Sequence, residues 1–178
     1  MLVREEAEAA GASLGQVKDY LRISGSGEDG LLDGLLRSAT SLCEQFVGQW
    51  LILGEARETV RADGEWQRLS ATPVVAILGV DAVGADGEAE ALAVDAYSVD
   101  IDAAGDGRVR ARPLSGEQVL AVRYRAGMAE DADGLPEPIR QGIVRLAAEH
   151  FSARGGEVAT PPAVVSALWR PWRRMRLA

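Results

Sequence analysis

The hydrophobic period changes twice along this chain, and that change constrains the fold more than any other feature. Apolar residues recur at helical spacing up to residue 48 and again from residue 135, whereas short alternating runs bounded by turn residues lie between them. This order predicts an α+β fold. We expect a helical bundle, formed by two N-terminal helices plus a long C-terminal helix, with an inserted antiparallel β subdomain at residues 50–126.

The two N-terminal helices follow an acidic stretch, residues 1–12, which has no clear period and is expected to be a loosely held arm. Ser13 and Gln16 form a capping box for the first helix. Ser26 can cap the second helix, which should end at Gly48. The apolar face of the second helix contains Leu31, Leu32, Leu35, Leu36, Ala39, Leu42, Cys43, Phe46 and Val47.

The long C-terminal helix should begin at Pro136 and Pro138, because N–H groups in the first turn of a helix have no partner within the helix and a proline there loses no hydrogen bond. It should end at the glycine pair 155–156. A short helix should follow Pro162. The apolar stripe of the long helix must be buried, and the leucine face of the second helix is its expected partner. The stripe contains Ile139, Ile143, Leu146, Ala147, His150 and Ala153.

Five strands are predicted in the β subdomain, at residues 55–61, 74–83, 91–100, 108–112 and 119–124. Hairpin turns are expected at Asp63-Gly64, Asp86-Gly87 and Asp106-Gly107. The run TPVVAILGV is the most apolar of these stretches. We therefore expect the strand at 74–83 to be the buried one.

Length and charge exclude several classes of protein. The chain has 178 residues, enough for one domain, and its net charge of −8 argues against a surface that binds nucleic acid throughout. A single cysteine, Cys43, excludes an internal disulfide and fits a reducing compartment. Uncharged runs are too short to cross a bilayer and no signal peptide is evident. We expect a soluble protein that is cytoplasmic when made, without a membrane partner.

Catalytic signals are weak. His150 is the only histidine and lies on an apolar stripe, so it should pack there with one satisfied hydrogen bond, and Cys43 should be a buried hydrophobe. The sequence has no phosphate-binding loop, dinucleotide fingerprint or metal-ligand spacing. The acidic residues Asp100, Asp102 and Asp106, like Glu130, Asp131 and Asp133, should lie in solvated turns. We therefore expect no enzymatic activity, cofactor or metal.

The C-terminal tail, residues 169–178, combines aromatic and arginine side chains, the types enriched at interface hot spots. Docking into a partner protein is one interpretation, folding onto the chain's own core is another, and binding of nucleic acid is a third. The candidate docking residues are Trp169, Arg170, Trp172, Arg173, Arg174, Met175, Arg176 and Leu177. If docking is correct, truncation after Ala167 should abolish it and leave the fold intact.

The face of the second helix opposite the leucines carries small side chains, namely Gly30, Gly34, Ser38 and Ser41. Small residues let another backbone approach closely. We interpret this strip as a candidate contact between subunits, although glycines there could equally reflect a GC-rich coding bias.

Five segments follow one another along the chain: LGQVKDYLRIS, GEDGLLDGLLRSATSLCEQFVGQWL, a β region ending in VRYRAGM, LPEPIRQGIVRLAAEHF, and PPAVVSALWRPWRRMRL. This order covers nearly all of the sequence from Ser13. It resembles the head–tail connector, or adaptor, proteins of long-tailed phages and of phage-like gene transfer agents.

The resemblance implies a single connector domain over residues 1–178, with the helical bundle formed by 13–48 and 135–168. It also implies a homo-oligomeric ring, commonly a dodecamer, below the portal protein, with a stopper or tail-side connector protein beneath it. DNA would pass through the channel without sequence-specific binding, and the C-terminal docking residues would engage the portal. The alternative is a small nucleic-acid-binding module that uses the Arg/Trp tail.

Overall fold

The computed structural model describes residues 1–5, 9–84, 87–112, 119–153 and 161–174. The chain forms two compact units, one from Met1–Ala7 and Leu53–Gly127, the other from Glu8–Ile52 and Met128–Ala178. We call them the β unit and the helical unit. The described residues are mixed α and β, with four α-helices and antiparallel sheets.

The helical unit contains α1 (Leu14–Leu21), α2 (Asp29–Val47), α3 (Glu137–Ser152) and α4 (Ala163–Trp169), and a 3₁₀ turn (Arg170–Trp172) follows α4. The capping box at α1 is present, because the Gln16 N–H donates to Ser13 Oγ at 3.2 Å and the Ser13 N–H donates to Gln16 Oε1 at 2.9 Å. Gly48 ends α2 in the left-handed conformation, as predicted.

The N-terminal end of α2 differs from the prediction, and the predicted glycine stop of α3 is not tested. Glu28, not Ser26, occupies the N-cap of α2, without a side-chain capping bond. The described part of α3 ends at Ser152 with Ala153 in a right-handed conformation, and the glycine pair at 155–156 lies outside the described residues.

The core of the helical unit lies between α2 and α3, and α4 packs against α3. Both predicted apolar faces contribute to it, and their fully buried members include Leu32, Leu36, Cys43, Val47, Ile139, Ile143, Leu146 and Ala147. Leu31, which is 54% exposed, and Ala153, which is also exposed, are the exceptions in which the prediction of a buried position is wrong. His150 is half-buried, and its Nε2 atom is buried without a described partner, so the expected satisfied hydrogen bond is absent there.

The β unit contains two antiparallel sheets. Their strands are β1 (Leu2–Arg4), β2 (Gly54–Arg61), β3 (Gln67–Arg68), β4 (Val74–Val83), β5 (Ala89–Ala91), β6 (Tyr97–Ile101), β7 (Gly107–Ala111) and β8 (Val119–Ala126). One sheet has the order β1-β2-β8-β4-β5 and the other β3-β7-β6. The strand predicted at 91–100 is wrong: a 3₁₀ turn at Val94–Ala96 separates β5 from β6. The start of the N-terminal arm, Leu2–Arg4, is not loose, because β1 pairs with β2.

The most buried strand is β8 rather than β4. It lies between β2 and β4, and five of its eight residues are buried. By contrast, Val75 and Leu78 of β4 are 57% and 46% exposed. Register shifts between Val74/Ala76 and Ile77/Gly79 interrupt the pairing of β4 with β8 and turn these side chains outward.

A buried carboxylate, Glu58 on β2, connects β8 with the segment before β4 through hydrogen bonds. It is only 6% exposed, and its Oε2 accepts hydrogen bonds from the Tyr124 hydroxyl at 2.7 Å and the Ser70 N–H at 2.8 Å. The Ser70 hydroxyl contacts Oε1, and the Tyr124 oxygen accepts the Ala71 N–H at 3.1 Å. These donors replace the water that the carboxylate loses on burial.

Candidate docking site

The C-terminal segment begins with a core residue rather than an exposed one. Trp169 is fully buried, and its indole N–H donates to the carbonyl oxygen of Ile139 at 3.3 Å. Its ring lies 5.8 Å from that of Phe46 and directly over Gly142, where an added Cβ would lie 2.1 Å from Nε1. At Trp169 the structure agrees with the interpretation that the tail folds onto the chain's own core, because the helical unit buries this side chain.

The backbone that follows Trp169 is bound to the C-terminal end of α2. The Arg174 N–H donates to the Val47 carbonyl at 2.8 Å, and the Gln49 side-chain amide donates to the Trp172 carbonyl at 2.7 Å. Carbonyls in the last turn of a helix have no partner within the helix, so Arg174 satisfies one of them. The described part of the segment, residues 169–174, is thus held at its start by Trp169 in the core and at Arg174 by α2.

Positive charge from this segment lies close to the end of α2. The Arg173 guanidinium lies 5.6 Å from the centre of the Phe46 ring, and α2 has no basic residue in its own last turn. Cations near a helix C terminus are favourable by about 0.3–1 kcal/mol. Arg170 and Arg173 are exposed, whereas Trp172 and Arg174 are half-buried.

The remaining predicted docking residues, Met175, Arg176 and Leu177, lie outside the described residues. Docking by the segment therefore stays a prediction. The burial of Trp169 also corrects the expected effect of truncation after Ala167, which would remove a core side chain and destabilise the helical unit.

The predicted subunit-contact strip on α2 is largely open. Gly30, Gly34 and Ser38 are exposed and Ser41 is half-buried. A Cβ added at either glycine would meet no atom within 4 Å, so neither glycine is required by packing within the chain. A contact with another subunit at this strip remains a prediction.

The titratable residues considered from the sequence lie in separate structural settings. Cys43 is buried in the core, and this burial, with a smaller contribution from Glu44, raises the pKa of its thiol far above the ordinary value. The Asp102 carboxylate accepts the N–H groups of Ala104 and Asp106 at 2.9 Å, as in a hairpin turn. Among the described residues, no group of three or more His, Cys, Asp or Glu side chains could hold a metal ion.

Arginines provide partners for the acidic turn residues. Arg108 approaches both Asp100 and Asp102, at 3.9 and 3.8 Å, and Arg68 pairs with Asp106. In the second acidic loop, Asp133 lies 3.2 Å from the guanidinium of Arg140. The turn at Asp100–Asp106 is thus charge-compensated, whereas the second loop is compensated at Asp133 alone.

Each unit has an open cleft that the sequence did not reveal. In the helical unit, a cleft of about 310 Å³ is lined by residues that include Tyr20, Arg140 and Arg145. In the β unit, a polar cleft of about 350 Å³ lies beside Tyr97 and Arg112. Arg112 directly follows β7, and the alternation of that strand indicates that its side chain points outward. The cleft around it is formed by residues that the sequence pattern does not connect.

No helix in the described part of the chain is both long and apolar enough to span a bilayer.

Comparison with known proteins gives matches among solved structures only. No protein-family model and no curated protein matches this chain. A chain from the neck of an empty GTA particle, computed with C6 symmetry, matches with a TM-score of 0.82 and 24% identity, over 100% of this chain and 97% of that one. At that identity the match shows the fold alone.

Two further matches have 26% identity and a TM-score of 0.79, again over 100% of this chain and 97% of the other. One comes from the virion of the native gene transfer agent (GTA) particle and the other from the neck of the native GTA particle, computed with C12 symmetry. Over its whole length, the chain is therefore similar in structure to components of gene transfer agent particles, including components of their neck.

Proposed function

We propose that this chain is a structural subunit of the head-to-tail connector of a phage or phage-like particle, forming a ring below the portal. The observation that carries the proposal is the match over the entire chain to a neck component of the native GTA particle, at 26% identity and a TM-score of 0.79. Both units of the chain are included in that match, which favours a shared role over a shared fragment.

The C-terminal segment is the proposed portal anchor, but its docking part begins at Arg170 because Trp169 is buried within the chain. Trp169 serves as the internal attachment of the segment, and the residues from Arg170 onward carry the docking function. Hydrogen bonds from Gln49 and Arg174 hold the backbone in one position before any partner arrives. A preorganised segment loses less conformational entropy on binding, so its affinity is higher.

The proposed ring continues the DNA channel from the portal towards a stopper or tail-side connector. A net charge of −8 suits a channel component because like charge keeps a polyanion from adhering to the wall. The subunit would assemble in the bacterial cytoplasm and then remain in the particle at the head–tail interface.

The test uses two truncations of different length. A chain ending at Arg174 keeps every described contact of the segment, so it should fold normally and lose portal attachment. A chain ending at Ala167 should lose both attachment and stability. Native mass spectrometry of the purified chain with portal, and images of particles, measure the attachment.

Full portal attachment by the chain ending at Arg174 would remove residues 175–178 from the proposal. Substitution of the exposed arginines, Arg170→Glu with Arg173→Glu, would then test the part that remains. A protein that stays monomeric with and without portal, and is absent from purified particles, would refute the connector function itself.

The second candidate function is a nucleic-acid-binding module, and the observation that favours it is the pair formed by Trp66 and Arg110. Trp66 is 41% exposed, and the Arg110 guanidinium lies 4.8 Å from the centre of its ring. Such pairs can stack on bases. Binding to single-stranded DNA should then weaken steeply with salt and with Trp66→Ala; no binding at low salt would dismiss this function.

A further inference from the structure

The outer face of the five-stranded sheet carries a group of arginines that neither the fold nor the C-terminal anchor explains. Alternation along β2 and β8 turns Ala56, Glu58 and Tyr124 into the core and the intervening residues outward. The exposed residues on the outer face include Arg57, Arg61, Arg123 and Arg125, which we call the arginine face.

Pairing within the sheet brings like charges together on this face. Arg57 lies directly opposite Arg123 in the β2–β8 register, and like charges in this position destabilise a sheet. Arg123 is partly compensated, because it lies 3.6 Å from Asp81 and its guanidinium rests over Gly79. Arg57, Arg61 and Arg125 form no ion pair with any described residue.

A chain with an excess of acidic residues thus concentrates unpaired cations on one exposed face, at some cost to its own sheet. Folding does not account for this arrangement. A partner that brings carboxylates to the face would account for it, because each arginine would then gain a charge-assisted hydrogen bond.

The composition of the face favours a protein partner over nucleic acid. Glu55 lies directly opposite Arg125, and Asp81 lies beside Arg123, so anionic groups are interleaved with the arginines. A polyanion would be repelled by them, whereas a protein surface can match both signs. The other exposed residues of β2 and β8 on this face, Thr59 and Val119, offer no ring for base stacking.

A second copy of the chain provides the complementary surface. A ring is closed by a heterologous interface, in which one surface of each subunit contacts a different surface of the next. The loop before α3 has three exposed carboxylates, Glu130, Asp131 and Asp133. Asp133 pairs with Arg140, whereas Glu130 has no ion pair with a described residue.

We propose that the arginine face of one subunit receives the acidic loop, residues 130–133, of the neighbouring subunit, so that these two surfaces form part of the ring interface. This contact deepens the proposed function and rests on it. The contact names both surfaces of an interface between subunits, whereas the strip on α2 is a single surface with no identified partner surface.

The first test reverses charge on the face. Arg57→Glu with Arg61→Glu should fold at least as well as the unmodified chain, because position 57 would then carry a carboxylate opposite Arg123. The same variant should require at least about tenfold more protein to assemble, since like charges juxtaposed at an interface cost several kcal/mol. Arg22→Glu with Arg112→Glu makes the same change in net charge at two exposed positions outside the arginine face and should leave assembly unchanged.

The second test reverses both surfaces. Glu130→Arg with Asp131→Arg should also fail to assemble alone. An equal mixture of this variant with Arg57→Glu/Arg61→Glu should restore rings, because every interface in an alternating ring then joins opposite charges. Analytical ultracentrifugation and native mass spectrometry measure assembly, and circular dichroism verifies the fold of each variant.

Normal assembly of the face variant, or failure of the mixture, would overturn the contact while leaving the connector function in place. Loss of DNA binding by the face variant with unchanged assembly would likewise overturn it, in favour of nucleic acid. If the unmodified chain forms no ring even with portal, the connector function fails and the contact fails with it.

Discussion

The contact between Gly142 and Trp169 provides a prediction whose sign depends on the tertiary structure. Gly142 lies inside α3, where alanine is more favourable than glycine by about 1 kcal/mol. A Cβ at this position, however, would lie 2.1, 2.7 and 2.9 Å from three atoms of the Trp169 indole. No side chain tolerates such distances, so the indole would have to move out of a fully buried position.

Gly142→Ala should therefore destabilise the helical unit. Overpacking of a core costs about 1–3 kcal/mol, and forced movement of a tryptophan belongs at the upper end of that range. Subtracting the gain in helix propensity leaves a net loss of about 1–2 kcal/mol. Trp169→Ala alone should cost more, about 3–5 kcal/mol, because it leaves a cavity in the core.

The sign should reverse when the two changes are combined. In the Trp169→Ala background the indole is gone, so Gly142→Ala should stabilise the protein by about 0.5–1 kcal/mol. Gly34→Ala is the matched control, because an added Cβ there meets nothing within 4 Å, and it should be stabilising in both backgrounds. Urea unfolding followed by far-UV circular dichroism measures the free energy of unfolding.

Equal destabilisation by Gly142→Ala in both backgrounds would refute the reasoning, since the cost would then not come from the indole. A stabilising Gly142→Ala in the otherwise unmodified chain would refute the burial of Trp169 over Gly142.

Three further predictions concern other parts of the chain. Tyr124→Phe should lower the free energy of unfolding by about 1–3 kcal/mol, because Glu58 loses a donor and the Ala71 N–H loses its acceptor. Urea unfolding at neutral pH measures this, and an unchanged free energy of unfolding would contradict it. Gly34→Glu should leave the monomer folded and weaken ring formation if the strip on α2 is a subunit contact, so unaltered rings in native mass spectrometry would exclude it. Hydrogen bonds from Arg140, and secondarily from Gln141, lower the pKa of the Glu137 carboxyl. At a pH above the ordinary pKa of a glutamate, the lowered pKa stabilises the fold, and this stabilisation is lost as the pH falls through the lowered value. Arg140→Gln should therefore raise the pKa of Glu137 in an NMR titration, and an unchanged pKa would contradict the pairing.

Local signals were sufficient to predict most of the secondary structure. The capping box at Ser13, the glycine stop at Gly48 and the proline start of α3 each depend on residues within one turn of the helix. The apolar periods of α2 and α3 similarly identified the two faces that meet in the core. These features are predictable because the residues that cause them are close together in sequence.

Features of the candidate docking site depended on contacts between residues that are distant in sequence. The run WRPWRRM does not show which of its tryptophans is buried. Trp169 can be buried because Gly142 has no side chain and leaves room for the indole. The central position of β8 and the arginine face likewise follow from pairing with β2, which lies far from β8 in the sequence. Glu58 could not be recognised as buried, since its donors come from β8 and the loop before β4.

The sequence by itself thus determined where the helices and most of the strands lie and that the chain is α+β, because period and capping act locally. The tertiary structure decided which apolar residues are core and which charges are left unpaired on the surface. The strand order and the packing of α4 on α3 determine which residues are buried and which charges are unpaired, because both bring together residues that no local pattern connects.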